Sequence, residues 1–359
     1  MVNYADTERF CSVCCAQLGV FAFLHHNKFD LRGGVGVVEL DCLAALDGLI
    51  WLRTGHQVEA RFRIGQSSVS RLSRKCADVF GLSLARRGSD WQLKGDTTLL
   101  TLERRVHQAV RWTRGGSLRL EAQHWSGPLL CSPAPAGWLA GCFHFHEYER
   151  PLQLLREGVI DAWVASYPDV PAATDPTIAC IGLSRMPIWL VVDQSHPLLE
   201  LGDQVTFADV AAYPSMPLPD GAFPKFQAVL EACGLWNGGT TPKRMRNSSQ
   251  VGQVNMEDLI VSVATPLSLL LSDDCCRVLP LELPVQVGDA LLVPRQYERA
   301  PQTLRLLADL RQRLESLAGA APELVVLDGF GHPSAAPSDQ PFKEQWLPSA
   351  PLMPKTLKA

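Results

Sequence analysis

Residues 61–81 read RFRIGQSSVSRLSRKCADVFG. The stretch gathers Arg61, Arg63, Arg71, Arg74 and Lys75 with the hydroxyls of Ser67, Ser68 and Ser70, against one acid, Asp78. Arg63-Ile64-Gly65 reads as a turn, because glycine takes backbone conformations that other residues resist. A helix is predicted from Gln66 to about Phe80. At 100° per residue, Val69, Leu72, Cys76, Val79 and Phe80 fall on one side. Ser67, Ser70, Arg71 and Arg74 fall on the other. One stripe packs, and the other shows solvent hydroxyls and guanidiniums.

Upstream, Leu40, Leu43, Leu46, Ile50 and Leu52 recur at helical spacing, and Thr54-Gly55 ends that helix. Gln57 to Phe62 is a short second helix with Val58 and Phe62 at i, i+4. Helix, short helix, tight turn, helix is the helix-turn-helix arrangement. Small side chains opening the third helix let its backbone approach base edges, and Arg can bond guanine bidentately or hold phosphate. LARRGSDWQLKGD, residues 84–96, reads as a wing turning at Gly88-Ser89-Asp90, its Arg86, Arg87 and Lys94 placed for phosphates. In TTLLTLERRVHQAVRWTRGG, Leu99, Leu102, Val106 and Ala109 keep a 3–4 spacing, a narrow seam suited to pairing with a second copy.

The charge agrees with this division. Arg53 to Trp112 holds 12 Lys+Arg against 5 Asp+Glu, a net +7, so the remainder carries −11 of a total of −4. A basic module joined to an acidic one suggests a polyanion-binding part and a sensing part. The eleven cysteines follow no regular framework, which points to a reducing compartment.

From Leu118 short β-prone runs alternate with helical ones, indicating α/β folding with mostly parallel sheets. LRLEA, CFHFHEY, IDAWVA, PIWLVV and DALLVP are predicted strands. RPLQLLREG, FPKFQAVLEACGL, the run ending VNMEDLI, and APQTLRLLADLRQRLESLA are predicted helices. CFHFHEY as a strand would put His144 and His146 on one face. Residues 1–34 read as a disordered extension, and 321–359 as a disordered tail after ELVVL. CSVCCAQLGVFAFL near the start lacks a following small-residue cleavage site, and no apolar run reaches membrane-spanning length.

The order of these pieces resembles the LysR-type transcriptional regulators. RFRIGQSSVSRLSRK is similar to the family's helix-turn-helix signature. LREGVIDAWVA, WLVVDQSHPLL, VTFADVAAYP and VSVATPLSLL follow in the family's order, so the resemblance spans roughly 36–318. Three places depart from it. Val58-Glu59 stands where the family has an Ala pair. Leu93-Lys94-Gly95-Asp96-Thr97 replaces the usual turn after the wing. GPLLCSPAPAGWLAG, with three prolines, breaks a helix used in subunit contact.

The resemblance implies a winged helix-turn-helix at 35–95, a dimerising linker helix at 96–115, and a two-lobed effector domain like periplasmic binding proteins at 116–320. Lobe 1 would be about 116–185 and 295–320, and lobe 2 about 186–294. DNA contacts are expected from Arg61, Arg63, Gln66, Ser67, Ser68, Ser70, Arg71, Arg74, Arg86 and Lys94. A small-molecule effector would lie between the lobes, where strand ends and helix N-termini present free N–H groups. Gln123, His124, Trp125 and Ser126 form one candidate wall, and Asn247, Ser248 and Ser249 the other. His124 beside Trp125 suggests a pH-sensitive donor and an aromatic wall for an aromatic or carboxylated ligand. The implied partners are promoter DNA, the effector and further copies of the chain, with RNA polymerase a candidate. The implied location is cytoplasmic.

Enzyme signatures do not occur: there is no Gly-x-Ser-x-Gly, P-loop or His-Glu-x-x-His. Cys11, Cys14 and Cys15 with His25 and His26 match no zinc spacing, so neither metal nor cofactor is expected. The rival reading is a ligand-binding protein or enzyme whose N-terminal module has degenerated, with Glu59 as its best support.

Overall fold

A computed structural model describes residues 38–236, 259–271 and 276–333. The N-terminal module is α1 (Leu40–Leu52), α2 (Gly55–Phe62) and α3 (Gln66–Val79), followed by the hairpin β1 (Ser83–Arg87) and β2 (Asp90–Lys94). The Thr54 hydroxyl caps α2 by accepting the Gln57 N–H, and Arg63 ends it at φ 57°, the left-handed region. The face of α3 differs from expectation at one end. Val79 is 49% exposed, whereas Ser73 is buried between Val69, Cys76 and Ala77. The packed stripe runs i, i+4, i+7, i+8, so Val79 lies beyond its edge.

The linker helix α4 (Thr98–Arg114) divides the same way. Leu100, Glu103, Arg104, His107, Gln108 and Trp112 are buried, while Leu99, Leu102 and Val106 remain exposed. Its C-terminal end is fixed to the body by Trp112 stacked on Tyr297 at 4.5 Å and by the Gln302 amide donating to the Trp112 carbonyl.

Lobe 1 contains β3 (Leu118–Ala122), α5 (Ser126–Leu130), β4 (Trp138–Ala140), α6 (Glu149–Arg156), β5 (Ala162–Tyr167) and β6 (Ile178–Gly182). β7 (Ser184–Asp193) crosses into lobe 2, which holds a 3-10 segment (Pro197–Gln204), α7 (Phe207–Ala211), α8 (Pro224–Ala232), β8 (Ser262–Ala264) and α9 (Pro266–Leu269). β9 (Cys276–Pro294) returns through both lobes, and α10 (Pro301–Ala318) and β10 (Val325–Val326) close the fold. The strand order is β10-β7-β9-β5-β3-β4, with β6 also on β9 and β8 on β7.

Among the described strands only β3 with β4 and β3 with β5 pair in parallel, apart from an isolated Ser215–Val261 bridge; the ladders through β9 and β7 are antiparallel. The expectation of a mostly parallel sheet fails because β9, one 19-residue strand, serves both lobes. At its crossing a Cβ on Gly288 would lie 2.1 Å from the Ser184 carbonyl oxygen, so only glycine fits there.

CFHFHEY is not a strand. The edge strand falls earlier, at Trp138–Ala140, and Phe143 turns away at φ 55°. Its N–H goes to the Glu121 carboxylate instead of a ladder partner. The start of the tail is ordered as well: Leu324 is buried, and Val325–Val326 pair with Ser184–Arg185 of β7. Residues 254–258 of VNMEDLI and residues 1–37 lie outside the described residues, as does the tail from 334.

The hydrophobic core has two centres. One lies under the effector sheet and between the lobes. The other is continuous from the helix-turn-helix into lobe 1, joining Leu43, Leu46, Trp51, Val58 and Val69 to Phe145, Leu155, Trp163 and Leu292. The helix-turn-helix module is therefore packed on lobe 1 of its own chain.

Candidate nucleic-acid interface and effector cleft

On α3, Gln66, Ser67, Ser70, Arg71 and Arg74 are exposed, and Ser68 is half-buried. Ser67, Ser70, Arg71, Arg74, Lys75, Asp78 and Val79 line an open groove of about 710 Å³. Arg63 is exposed at the end of α2, Arg86 and Lys94 on the wing. The Arg86 guanidinium lies 5.9 Å from the Trp91 ring and its Nε donates to the Gly88 carbonyl. Among the described residues Arg63, Arg71, Arg74 and Lys94 enter no salt bridge.

Arg61 is placed differently. Its Nε donates to the Ala140 carbonyl at 2.6 Å, and its Nη2 to the Gly141 carbonyl at 2.9 Å. The side chain assigned to phosphate from the sequence is here turned onto the effector lobe. α2 presents it to lobe 1, a relation that no local pattern reveals.

The loop after β3 brings its four candidates together. Gln123 continues the sheet through its N–H to the Val164 carbonyl, and its carbonyl accepts the Gly127 N–H, starting α5. Gln123 and Ser126 are buried, and among the described residues Gln123 Oε1 and His124 Nδ1 have no partner. The His124 ring meets Trp125 at 4.4 Å and His146 at 4.5 Å. Trp125 meets Phe223 of lobe 2 at 5.1 Å.

Burial holds the His124 imidazole down to about 3, helped by His146, and burial likewise holds His144 to about 3. His124 is thereby held as a neutral ring near pH 7. Asn247, Ser248 and Ser249 lie outside the described residues.

Sequence reasoning missed several groups around this cleft. Asp289 on β9 is buried and pushed up to about 6 by that burial, with the Ser184 hydroxyl donating to it at 3.0 Å. Asp169 accepts the Lys225 and Phe226 N–H groups at the N-terminus of α8, tying lobe 2 to lobe 1. Phe223 closes the cleft against Trp125. The histidines at 144 and 146 were visible as a pair, but their approach to His124 depends on the turn at Phe143.

Residues 143–315 match the family model of the LysR substrate binding domain. No curated protein sequence matches the chain. Among solved structures, a full-length OxyR variant from Pseudomonas aeruginosa is similar at 18% identity, with 76% of this chain and 97% of that one covered and a TM-score of 0.48. A hydrogen-peroxide-bound OxyR mutant from Corynebacterium glutamicum is similar at 15% identity, with 79% and 95% covered and a TM-score of 0.46. Full-length CbnR complexed with its target DNA is similar at 15% identity, with 77% and 100% covered and a TM-score of 0.42. The chain thus carries a LysR substrate binding domain at 143–315, with a helix-turn-helix and its wing before it.

Proposed function

We propose that the protein is a DNA-binding transcriptional regulator that responds to a small molecule held between its two lobes. It acts in the cytoplasm as a dimer or tetramer, with promoter DNA and RNA polymerase as partners and no catalysis of its own. The observation that carries this reading is the outward face of α3. Ser67, Ser70, Arg71 and Arg74 stand exposed side by side, while Val69 and Cys76 seal the opposite face. Hydroxyls beside guanidiniums suit base edges and phosphates together. Arg63, Arg86 and Lys94 extend that charge toward the flanking backbone.

The exposed seam of Leu99, Leu102 and Val106 supports pairing of two copies through α4. Glu59, which favoured a degenerate module, is exposed, and its neighbour Val58 is fully buried in the module core. The substitution leaves the packing intact. In the cleft, His124, Trp125 and Phe223 suit an uncharged aromatic ligand whose polar atoms meet Gln123 and Ser126.

Selection from a random duplex pool with the purified protein tests this reading. Enrichment of a sequence with two related half-sites is expected. A folded protein that enriches nothing at low salt overturns it.

A further inference from the structure

The contact between the helix-turn-helix and lobe 1 runs through one short segment, residues 140–146. On the side of the DNA-binding module, Arg61 holds the Ala140 and Gly141 carbonyls. Arg53 donates to the His144 carbonyl at 3.3 Å and lies over the Phe145 ring at 4.6 Å. On the side of the effector cleft, His146 meets His124, and Phe143 packs so tightly on Gly127 that a Cβ there would lie 2.3 Å from its ring. Between the two sides stands Glu121, fully buried. One carboxylate oxygen accepts the Phe143 N–H at 3.1 Å, and the other accepts the Trp51 indole N–H at 2.6 Å. Gly141 is pressed on the same carboxylate; a Cβ there would sit 2.2 Å from it. Glu121 is also two residues before Gln123, on the strand that ends in the effector loop.

We propose that residues 140–146, held through Glu121, transmit occupancy of the effector loop to the DNA-binding module within a single subunit. This rests on the regulator reading above. A ligand seated against His124 or Trp125 displaces Phe143 or His146. That motion reaches Trp51 and Arg61 without crossing a subunit boundary, because the segment has no slack on either side. Coupling of this kind needs two arrangements of the module, docked and released, which the effector loop favours unequally.

The test uses full-length parent, E121Q, W51F and the double variant. Amide hydrogen exchange is followed at 140–146 and 123–131, and affinity is measured for duplex DNA from upstream of the protein's own gene across a salt series. In E121Q the amide faces a second donor at Trp51, so the link breaks without loss of volume. Each single variant is expected to raise exchange in both segments about tenfold, with the double variant no worse. DNA affinity is expected to fall about three- to tenfold with the salt slope unchanged, since a released module must be ordered again on binding.

Exchange at 123–131 that rises in E121Q but not in W51F overturns the coupling, as does unchanged DNA affinity in both. A parent that binds no DNA overturns the regulator reading, and the exchange arm then still decides the coupling. If E121Q does not fold, R61Q takes its place. Loss of docking leaves its salt slope intact, whereas loss of a phosphate contact lowers that slope by about 1 with exchange unchanged, which would overturn the proposal.

Discussion

Asp47 and Arg104 form an ion pair at 2.8 Å with both side chains only 1% exposed. Asp47 belongs to the first helix of the helix-turn-helix module, Arg104 to the linker helix. The same carboxylate also accepts from Arg119 of β3 at 3.2 Å, and Arg104 reaches Glu157 at the end of α6. Three parts of the molecule thus meet at one buried charge network. A charge buried there is tolerated only while its partners stay. Asp47→Asn leaves two guanidiniums short of an anion and is expected to cost about 3–5 kcal/mol. Urea denaturation checks it; a loss below about 1 kcal/mol would mean that the network is as weak as a surface pair.

Stability should also carry the signature of Glu121. Burial pushes its carboxyl up to about 7 from an ordinary 4.5. Between those values the native state holds a proton that the unfolded chain has released. The contribution of this group is therefore full below pH 4.5 and lost as pH rises to about 7. Glu121→Gln has no such titration. Its unfolding free energy relative to the parent should rise between pH 5 and 7 and level off above. A difference that stays flat with pH would show that Glu121 is ionised throughout.

His124 acts with the opposite sign. Its folded value of about 3 lies below the ordinary 6.5, so the unfolded chain takes up a proton first as pH falls. Its contribution is complete above pH 6.5 and is lost toward pH 3. His124→Phe should flatten the acid limb of the stability profile in that window. An unchanged limb, followed by thermal unfolding at pH 4–7, would count against a buried neutral ring.

The seam on α4 predicts the assembly. Leu102 is 52% exposed, so Leu102→Glu should leave the subunit folded while placing like charges across a paired seam. Sedimentation should show the dimer dissociating at concentrations where the parent stays paired. A variant that remains dimeric places the contact elsewhere.

Arg71→Ala should relax base preference at one position of each half-site, at about 1–3 kcal/mol for a lost bidentate contact. Selection from a random pool reads this out directly. An unchanged motif would reassign Arg71 to phosphate.

The helix-turn-helix and its wing were legible in the sequence because their determinants are local. The turn at Gly65, the helix spacing and the wing all lie within a few residues of each other. What could not be read is held by distant pairs. Trp51 meets Glu121 70 residues away, and Arg61 meets Ala140 79 away. No periodicity announces such contacts, so Arg61 looked like any other surface cation. CFHFHEY failed for a related reason. Its alternation suits a strand, but Glu121 captures the Phe143 N–H that a ladder would need. The loop at 123–126 was a candidate because strand ends carry free N–H groups. Phe223, which closes it, comes from the other lobe and is invisible to local pattern.

The most direct test of the account is binding of the purified protein to DNA from upstream of its own gene, measured across a salt series. A specific complex is predicted whose affinity falls linearly with salt on logarithmic axes, as Arg63, Arg71, Arg74, Arg86 and Lys94 displace counterions from phosphates. A folded protein that shows no complex at low salt, or one whose affinity ignores salt, would contradict it.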